Sequence, residues 1–254
     1  NSFTFRMKAI NLCDSSEATI SPIRVYTGPT ASFTATPVPG CVGTPITMLN
    51  ASTLGFNSSC QTTTIFNWDF GDGTTLTQFA LSNPTHIYTA PGTYTVTLST
   101  QNACGTTSDT KVVCIEPAPV PEFTITPQIA CVPFNATTVN LSNTANSCAV
   151  TYNWTVLFNG STCLPSAGTF NFIGGTDASS FQPQFQFVDP GTYTVRLTVT
   201  NSCGSFIYDQ LVTAQAPPQV SINPVPAICE GQSVSPTAPI IECYDTPTTF
   251  NWTF

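Results

Sequence analysis

The best-placed pair of acids in the chain is Asp69 and Asp72, in the stretch WDFGDG at 68–73. Two carboxylates this close could work as acid and base, or could supply oxygens to Ca2+, which takes carboxylate and backbone ligands. The other reading is a turn, because Gly73 tolerates positive φ and Asp72 can bond its own backbone. The stretch that corresponds to it further along, WTVLFNG at 154–160, has Thr155 in place of the first acid and none at the turn. No function repeated along the chain can therefore rest on the pair. The turn reading is preferred, and Ca2+ held by Asp69 and Asp72 is kept as the alternative. His86 is the only histidine. It aligns with Phe185, and Tyr88 with Phe187, so it occupies a strand position that an aromatic fills elsewhere and reads as structural. Ser, His and Asp do not recur together, no G-x-S-x-G appears, and GGTD at 174–177 is a lone glycine turn without phosphate-binding context. No catalytic residue and no cofactor are assigned, and the chain reads as non-enzymatic.

The remaining chemistry lies in 11 cysteines, an odd number that points to bonds beyond simple internal pairs. No C-x-x-C pair exists and His86 is far in sequence from any cysteine, which argues against a metal site. Cysteines at this density imply disulfides and an oxidising, extracytoplasmic location. The net charge of −8, with Lys plus Arg only 5, argues against nucleic acid, which needs clustered cations to neutralise phosphates. It also argues against an electrostatic membrane site, and no apolar run approaches the roughly 20 residues that span a bilayer. With 7% of residues charged, abundant threonine and no apolar run at helical spacing, the expected class is all-β.

The elements that position these residues come in copies. PGTYTVTLSTQNAC at 91–104 returns as PGTYTVRLTVTNSC at 190–203, and NSFTFRMKAINLC at 1–13 is the same stretch without its first two residues. The aromatic-to-cysteine spacing is constant: Phe3 to Cys13, Tyr94 to Cys104, Tyr193 to Cys203. A tryptophan marker precedes it, in FNWDF (66–70), YNWTV (152–156) and FNWTF (250–254), which sets Trp68, Trp154 and Trp252 in equivalent places. A leading cysteine follows a proline-rich approach at Cys41, Cys131 and Cys229. The expected parse is 1–29 as the final two strands of a truncated module, 30–117 and 118–217 as complete modules, and 218–254 as the first strands of a fourth. The short proline-rich joins should be semi-rigid, and the whole should be a window on a longer array.

Within each copy the apolar residues alternate: Tyr94, Val96, Leu98; Tyr193, Val195, Leu197, Val199; Phe3, Phe5, Met7, Ala9. Period-two alternation in one phase means that the same face is buried each time. Trp68 and Trp154 with their flanking aromatics do likewise. Roughly seven short strands per module, with a buried Trp mid-module, describe an immunoglobulin-like β-sandwich. WDFGDG followed by HIYTAPGTYTVTLSTQN (86–102) resembles the PKD domain, a seven-stranded sandwich found in polycystin ectodomains and bacterial surface proteins. The resemblance is specific in 30–117 and weaker in 118–217. In such a sandwich the loops before the Trp strand and after the PGTY strand share one end, which implies Cys60–Cys104 and Cys148–Cys203. The opposite end implies Cys41–Cys114 in one module and Cys131–Cys163 in the next. Cys13, Cys229 and Cys243 would pair beyond this stretch.

Low-charge, cysteine-bearing PKD-like arrays resemble the large attachment and gliding adhesins of Bacteroidota, exported by the type IX system. The resemblance implies a spacer in a cell-surface stalk, with neighbouring modules of the same chain as its partners. Two further readings remain open: polymer- or carbohydrate-binding accessory modules of a secreted hydrolase, and a surface fibre assembling laterally. Alternation leaves few outward aromatics for polysaccharide, chiefly Phe79 and Phe206.

Overall fold

A computed structural model describes residues 2–24, 27–55, 64–161 and 166–217, with the short pieces 219–220, 229–231 and 240–241. Cys60, Cys163, Cys243 and Trp252 lie outside these residues. All the described elements are strands, as the threonine-rich, charge-poor composition requires. The chain divides into two compact units, Asn1–Pro117 and Ala118–Phe254.

The first unit opens with a hairpin of β1 (Ser2–Ile10) and β2 (Ser15–Arg24), with Phe5 opposite Ile20 and Met7 opposite Ala18. Eight strands follow: β3 (Phe33–Thr36), β4 (Gly40–Cys41), β5 (Pro45–Asn50), β6 (Ile65–Asp69), β7 (Thr75–Gln78), β8 (Thr85–Ile87), β9 (Gly92–Asn102) and β10 (Gly105–Glu116). They form one sheet in the order β3-β5-β8 and another in the order β4-β10-β9-β6-β7. The second unit contains β11 (Phe123–Thr126), β12 (Ile129–Cys131), β13 (Phe134–Asn140), β14 (Thr151–Gly160), β15 (Phe170–Ile173), β16 (Gln184–Phe187), β17 (Gly191–Asn201) and β18 (Gly204–Gln215). Its sheets run β11-β13-β16-β15 and β12-β18-β17-β14.

The two wirings agree strand for strand except at one place. In each, the leading segment serves both sheets: β3 and β11 pair antiparallel with β5 and β13, then β4 and β12 pair parallel with the last strands β10 and β18. Prolines 37, 39 and 127 fall at this crossing, where a residue without an N–H cannot continue a ladder. The difference follows the tryptophan strand. After β6 the FGDG turn reverses the chain at once, and β7 pairs back on β6, with Trp68 opposite Leu76. The second module has no such turn, so β14 runs on to Gly160 and the following β15 pairs with β16 of the other sheet. One tight turn, present or absent, decides which sheet receives the next strand.

Each module buries its own core. In the first, Ile46, Met48, Phe66, Trp68, Val96 and Leu98 are all 1% exposed or less, and Phe33 meets the Trp68 ring edge-on at 5.0 Å. In the second, Trp154, Phe185, Phe187, Tyr193, Val195 and Leu197 are equally buried, with Phe123 edge-on to Trp154 at 4.7 Å. Trp68 lies opposite Leu98, and Trp154 opposite Leu197, so the indole occupies the same rung twice. The indoles differ in one respect. Trp154 Nε1 donates to the Ser180 carbonyl at 2.9 Å, whereas Trp68 Nε1 is buried with no acceptor among the described residues.

Two expectations need correction. Tyr94 is only partly buried, packed against the core rim, while Tyr193 is fully buried. The hairpin face that should match the buried faces of β9 and β17 is open: Phe3, Phe5 and Met7 are 51%, 65% and 69% exposed. Among the described residues no second sheet lies over it, and alternation records only the capacity to be covered.

Candidate functional site

The acids and the histidine picked out by sequence come together at the corner between β6 and β8. Gly71 and Gly73 both have left-handed backbone, φ 81° and 89°. A Cβ on Gly71 would lie 2.6 Å from the Thr95 carbonyl oxygen, so the position takes glycine for space as well as for φ. The turn uses its carboxylates as braces. Asp69 Oδ1 accepts from the Gly71 amide at 2.9 Å, and Asp72 Oδ1 accepts from the Thr74 amide at 3.0 Å and its hydroxyl at 2.6 Å. Asp72 Oδ2 faces His86 Nε2 at 2.7 Å. The imidazole stacks on Phe70, 4.2 Å between centroids and 9° from parallel, and meets Tyr88 edge-on at 4.6 Å. Tyr88 then donates its hydroxyl to the Phe70 carbonyl at 2.9 Å.

Burial raises the Asp72 carboxyl, but the hydrogen bonds from Thr74 and His86 outweigh it and hold the group at about 2. Tyr88 is pushed up by burial and then by the Asp72 charge. Asp72 therefore stays ionised, with three protein groups already on its carboxylate. Thr74 Oγ1 donates to that carboxylate and also lies 3.3 Å from His86 Nε2, so its hydroxyl belongs to the same cluster. A Ca2+ ion taking Asp72 Oδ1 would compete with the Thr74 bonds that close the turn. The cluster is a clasp tying the turn to β8. Sequence reading placed His86 at an aromatic strand position; its partnership with Asp72 was not legible there, because the two come together only through strand pairing. The GGTD segment is likewise a turn, with Gly174 and Gly175 at φ 67° and 73°.

The structure also explains the repeated tyrosine. Tyr94 Oη donates to the Ala90 carbonyl at 2.9 Å and Tyr193 Oη to the Asp189 carbonyl at 2.6 Å. This is the tyrosine corner of immunoglobulin-like sandwiches. The available signal was the hydroxyl shared by the two PGTY copies.

The cysteines depart furthest from expectation. In all three copies an asparagine holds the amide of the cysteine two places on, at 2.8 Å: Asn11 to Cys13, Asn102 to Cys104, Asn201 to Cys203. Cys203 is disulfide-bonded, as are Cys41, Cys114 and Cys148. Cys104 and Cys131 are free and exposed, as are Cys13 and Cys229. The bonds Cys60–Cys104 and Cys131–Cys163 are thus absent, their other halves lying outside the described residues. The four oxidised cysteines do not form the expected Cys41–Cys114 and Cys148–Cys203 pairs either. Register gives a reason for the first: Cys41 lies opposite Glu116, not Cys114. Two residues along one strand and one strand spacing across separate the Cα atoms by about 8 Å, beyond the ~7 Å a disulfide bridges. Cys148 and Cys203 lie past the last β14–β17 rung, Thr151 with Thr200, where no ladder fixes their separation. Phe79 and Phe206, the aromatics expected to face outward, are 66% and 38% exposed, and Phe181, which the alternation did not single out, is 53% exposed.

Residues 29–117 match the family model of the PKD domain. The PKD-matching stretch is the first complete sandwich and includes the clasp and the tyrosine corner. Among solved structures, the chain is similar to three immunoglobulin domains of titin, I67–I69, with TM-score 0.50 and 14% identity over 86% of this chain and 89% of that one. It is similar to the N-terminal eight immunoglobulin domains of Down syndrome cell adhesion molecule, with TM-score 0.50 and 15% identity over 84% of this chain and 28% of that one. A structure of carbohydrate-binding modules of the β-sandwich superfamily aligns more loosely, TM-score 0.32 at 16% identity, over 68% of this chain and 57% of that one. The chain thus spans little more than half of the last and about a quarter of the cell-adhesion fragment. The comparison with curated proteins returns no match. What the titin and cell-adhesion structures share with this chain is the immunoglobulin-like sandwich fold, and the PKD match itself is confined to residues 29–117. No helix among the described residues is long and apolar enough to cross a membrane.

Proposed function

We propose that this chain is a non-enzymatic extracellular spacer, part of the stalk of a long, repetitive cell-surface adhesin used in attachment or gliding. The observation that carries the reading is the pair of independently cored sandwiches whose strand orders agree except at the strand after the tryptophan, joined at the proline-rich stretch EPAPVPEF (116–123). Units that each bury their own aromatics and repeat along the chain supply length, and their stability rests on local contacts. Oxidised cysteines fit an oxidising compartment outside the cytoplasm. The parse into 1–29, 30–117, 118–217 and 218–254 belongs to this proposal, as do type IX export and surface exposure. Pull-down of the chain on cellulose and chitin, with a glycan array, tests it: a spacer shows no retention. Retention abolished by Phe79→Ala or Phe206→Ala would instead assign a polymer-binding role.

A further inference from the structure

After the tryptophan strand the two modules diverge, and the second is left with an open edge. In the first, β7 lies along β6, with Phe66 opposite Gln78 and Trp68 opposite Leu76. In the second, β15 pairs in the other sheet, so β14 ends the order β12-β18-β17-β14. β14 is ten residues long, whereas the other strands that end a sheet in the two modules have two to four. Edge strands are ordinarily kept short or guarded by charge, proline or a bulge, because their open N–H and C=O groups template another strand. TYNWTVLFNG at 151–160 has no charge and no proline. Its one irregularity comes at its end, between Phe158 and Gly160.

The ladder sets which main-chain groups the edge presents. Trp154 gives its N–H to the Ala178 carbonyl at 2.8 Å, away from β17. Bond direction alternates along an antiparallel strand, so Val156 and Phe158 also point their N–H and C=O groups away from β17. Among the described residues no backbone partner meets them there. Their side chains pack on the core. Leu157, between them, faces outward at 48% exposure, in a row with Thr194 and Leu211, the latter 65% exposed. Arg196 and Asp209, the charged pair on that face, hold each other through two bonds of 2.8 Å.

We propose that β14 pairs edge to edge with β14 of a second copy of this chain, antiparallel about a two-fold axis through Leu157. The same observations set occupant and register. Val156 and Phe158 lie one residue either side of Leu157, so each strand supplies the complement of the other. Val156 exchanges both main-chain bonds with the second copy's Phe158, and Phe158 does so with the second copy's Val156. Moving the axis toward Trp154 would call on an N–H that Ala178 already holds, and moving it toward Gly160 meets the bulge. Leu157 then faces its own twin at a rung without hydrogen bonds, where side chains come closest, and Thr155 comes opposite Asn159. The row Leu211–Thr194–Leu157 continues across the axis, and an uncharged strand sets no like charges opposite each other. The added strand takes, in the same antiparallel sense, the place that β7 takes beside β6. An isologous contact closes on itself, so the product is a dimer. The inference stands apart from the stalk reading, since a spacer and a polymer-binding module would present the same edge.

Sedimentation of the whole chain, with free thiols blocked by iodoacetamide, tests it using two variants of one residue whose side chain faces away from the core. Wild type should pass from monomer to dimer as concentration rises and stop there. Leu157→Lys and Leu157→Glu each set like charges face to face across the axis. Each alone should stay monomeric at concentrations where wild type is dimeric. An equimolar mixture of the two should dimerise again, because the rung then carries opposite charges. Wild type that stays monomeric at every concentration overturns the proposal. So does a dimer that survives Leu157→Lys, or a mixture that fails to dimerise.

Discussion

Asp72 illustrates how a residue chosen for its chemistry turns out to act through its bonds. Its carboxyl, ordinarily near 3.8, is held at about 2 by Thr74 and His86. A depressed folded-state pKa stabilises above the unfolded value and loses that contribution as pH falls through the folded one. Wild type should therefore exceed Asp72→Asn in thermal stability at neutral pH, with the gap closing between about pH 4 and pH 2. A gap that does not change across that window would contradict the clasp. Gly71 makes a second residue-scale case: Gly71→Ala meets both positive φ and the Thr95 carbonyl. It should cost at least about 1–3 kcal/mol by denaturant unfolding. The indoles make a third. Trp154→Phe strips the Ser180 carbonyl of its donor, whereas Trp68→Phe removes a donor that has no acceptor among the described residues. The former should destabilise its module by about 1 kcal/mol more than the latter does.

At the scale of elements, most of the strands were legible because alternation and burial are the same statement made twice. Val96 and Leu98, or Val195 and Leu197, alternate in sequence and are buried in the sandwich. Two things were not legible. The switch of the strand after the tryptophan from its own sheet to the opposite one depends on whether a turn closes, and a repeat parse assumes that equivalent strands go to equivalent places. The disulfides depend on distances between loops, to which loop order is a poor guide; a two-residue offset removes Cys41–Cys114 from reach. The tyrosine corners give an element-scale prediction. Tyr193→Phe should cost about 0.5–1.5 kcal/mol in its module, the net value of one hydrogen bond, without altering the strand pattern by circular dichroism.

For the molecule as a whole, two separate cores predict two unfolding events. Leu98→Ala should move one calorimetric transition and Leu197→Ala the other, each by about 2–5 kcal/mol. A single transition displaced equally by both would show that the modules do not unfold as separate units. Oxidation state can be read on the same sample. A maleimide should label Cys13, Cys104, Cys131 and Cys229 without reductant, and Cys41, Cys114, Cys148 and Cys203 only after reduction, as mapped by peptide mass spectrometry.

The unequal treatment of the two buried indoles also has an optical consequence. An indole in an apolar site with no acceptor for its N–H emits further to the blue than one that is hydrogen-bonded. Trp68 and Trp154 are therefore two colours of one fluorophore, placed at the same rung of successive modules. In a Trp252→Phe background, the emission spectrum during unfolding should report which module has opened without any label being attached.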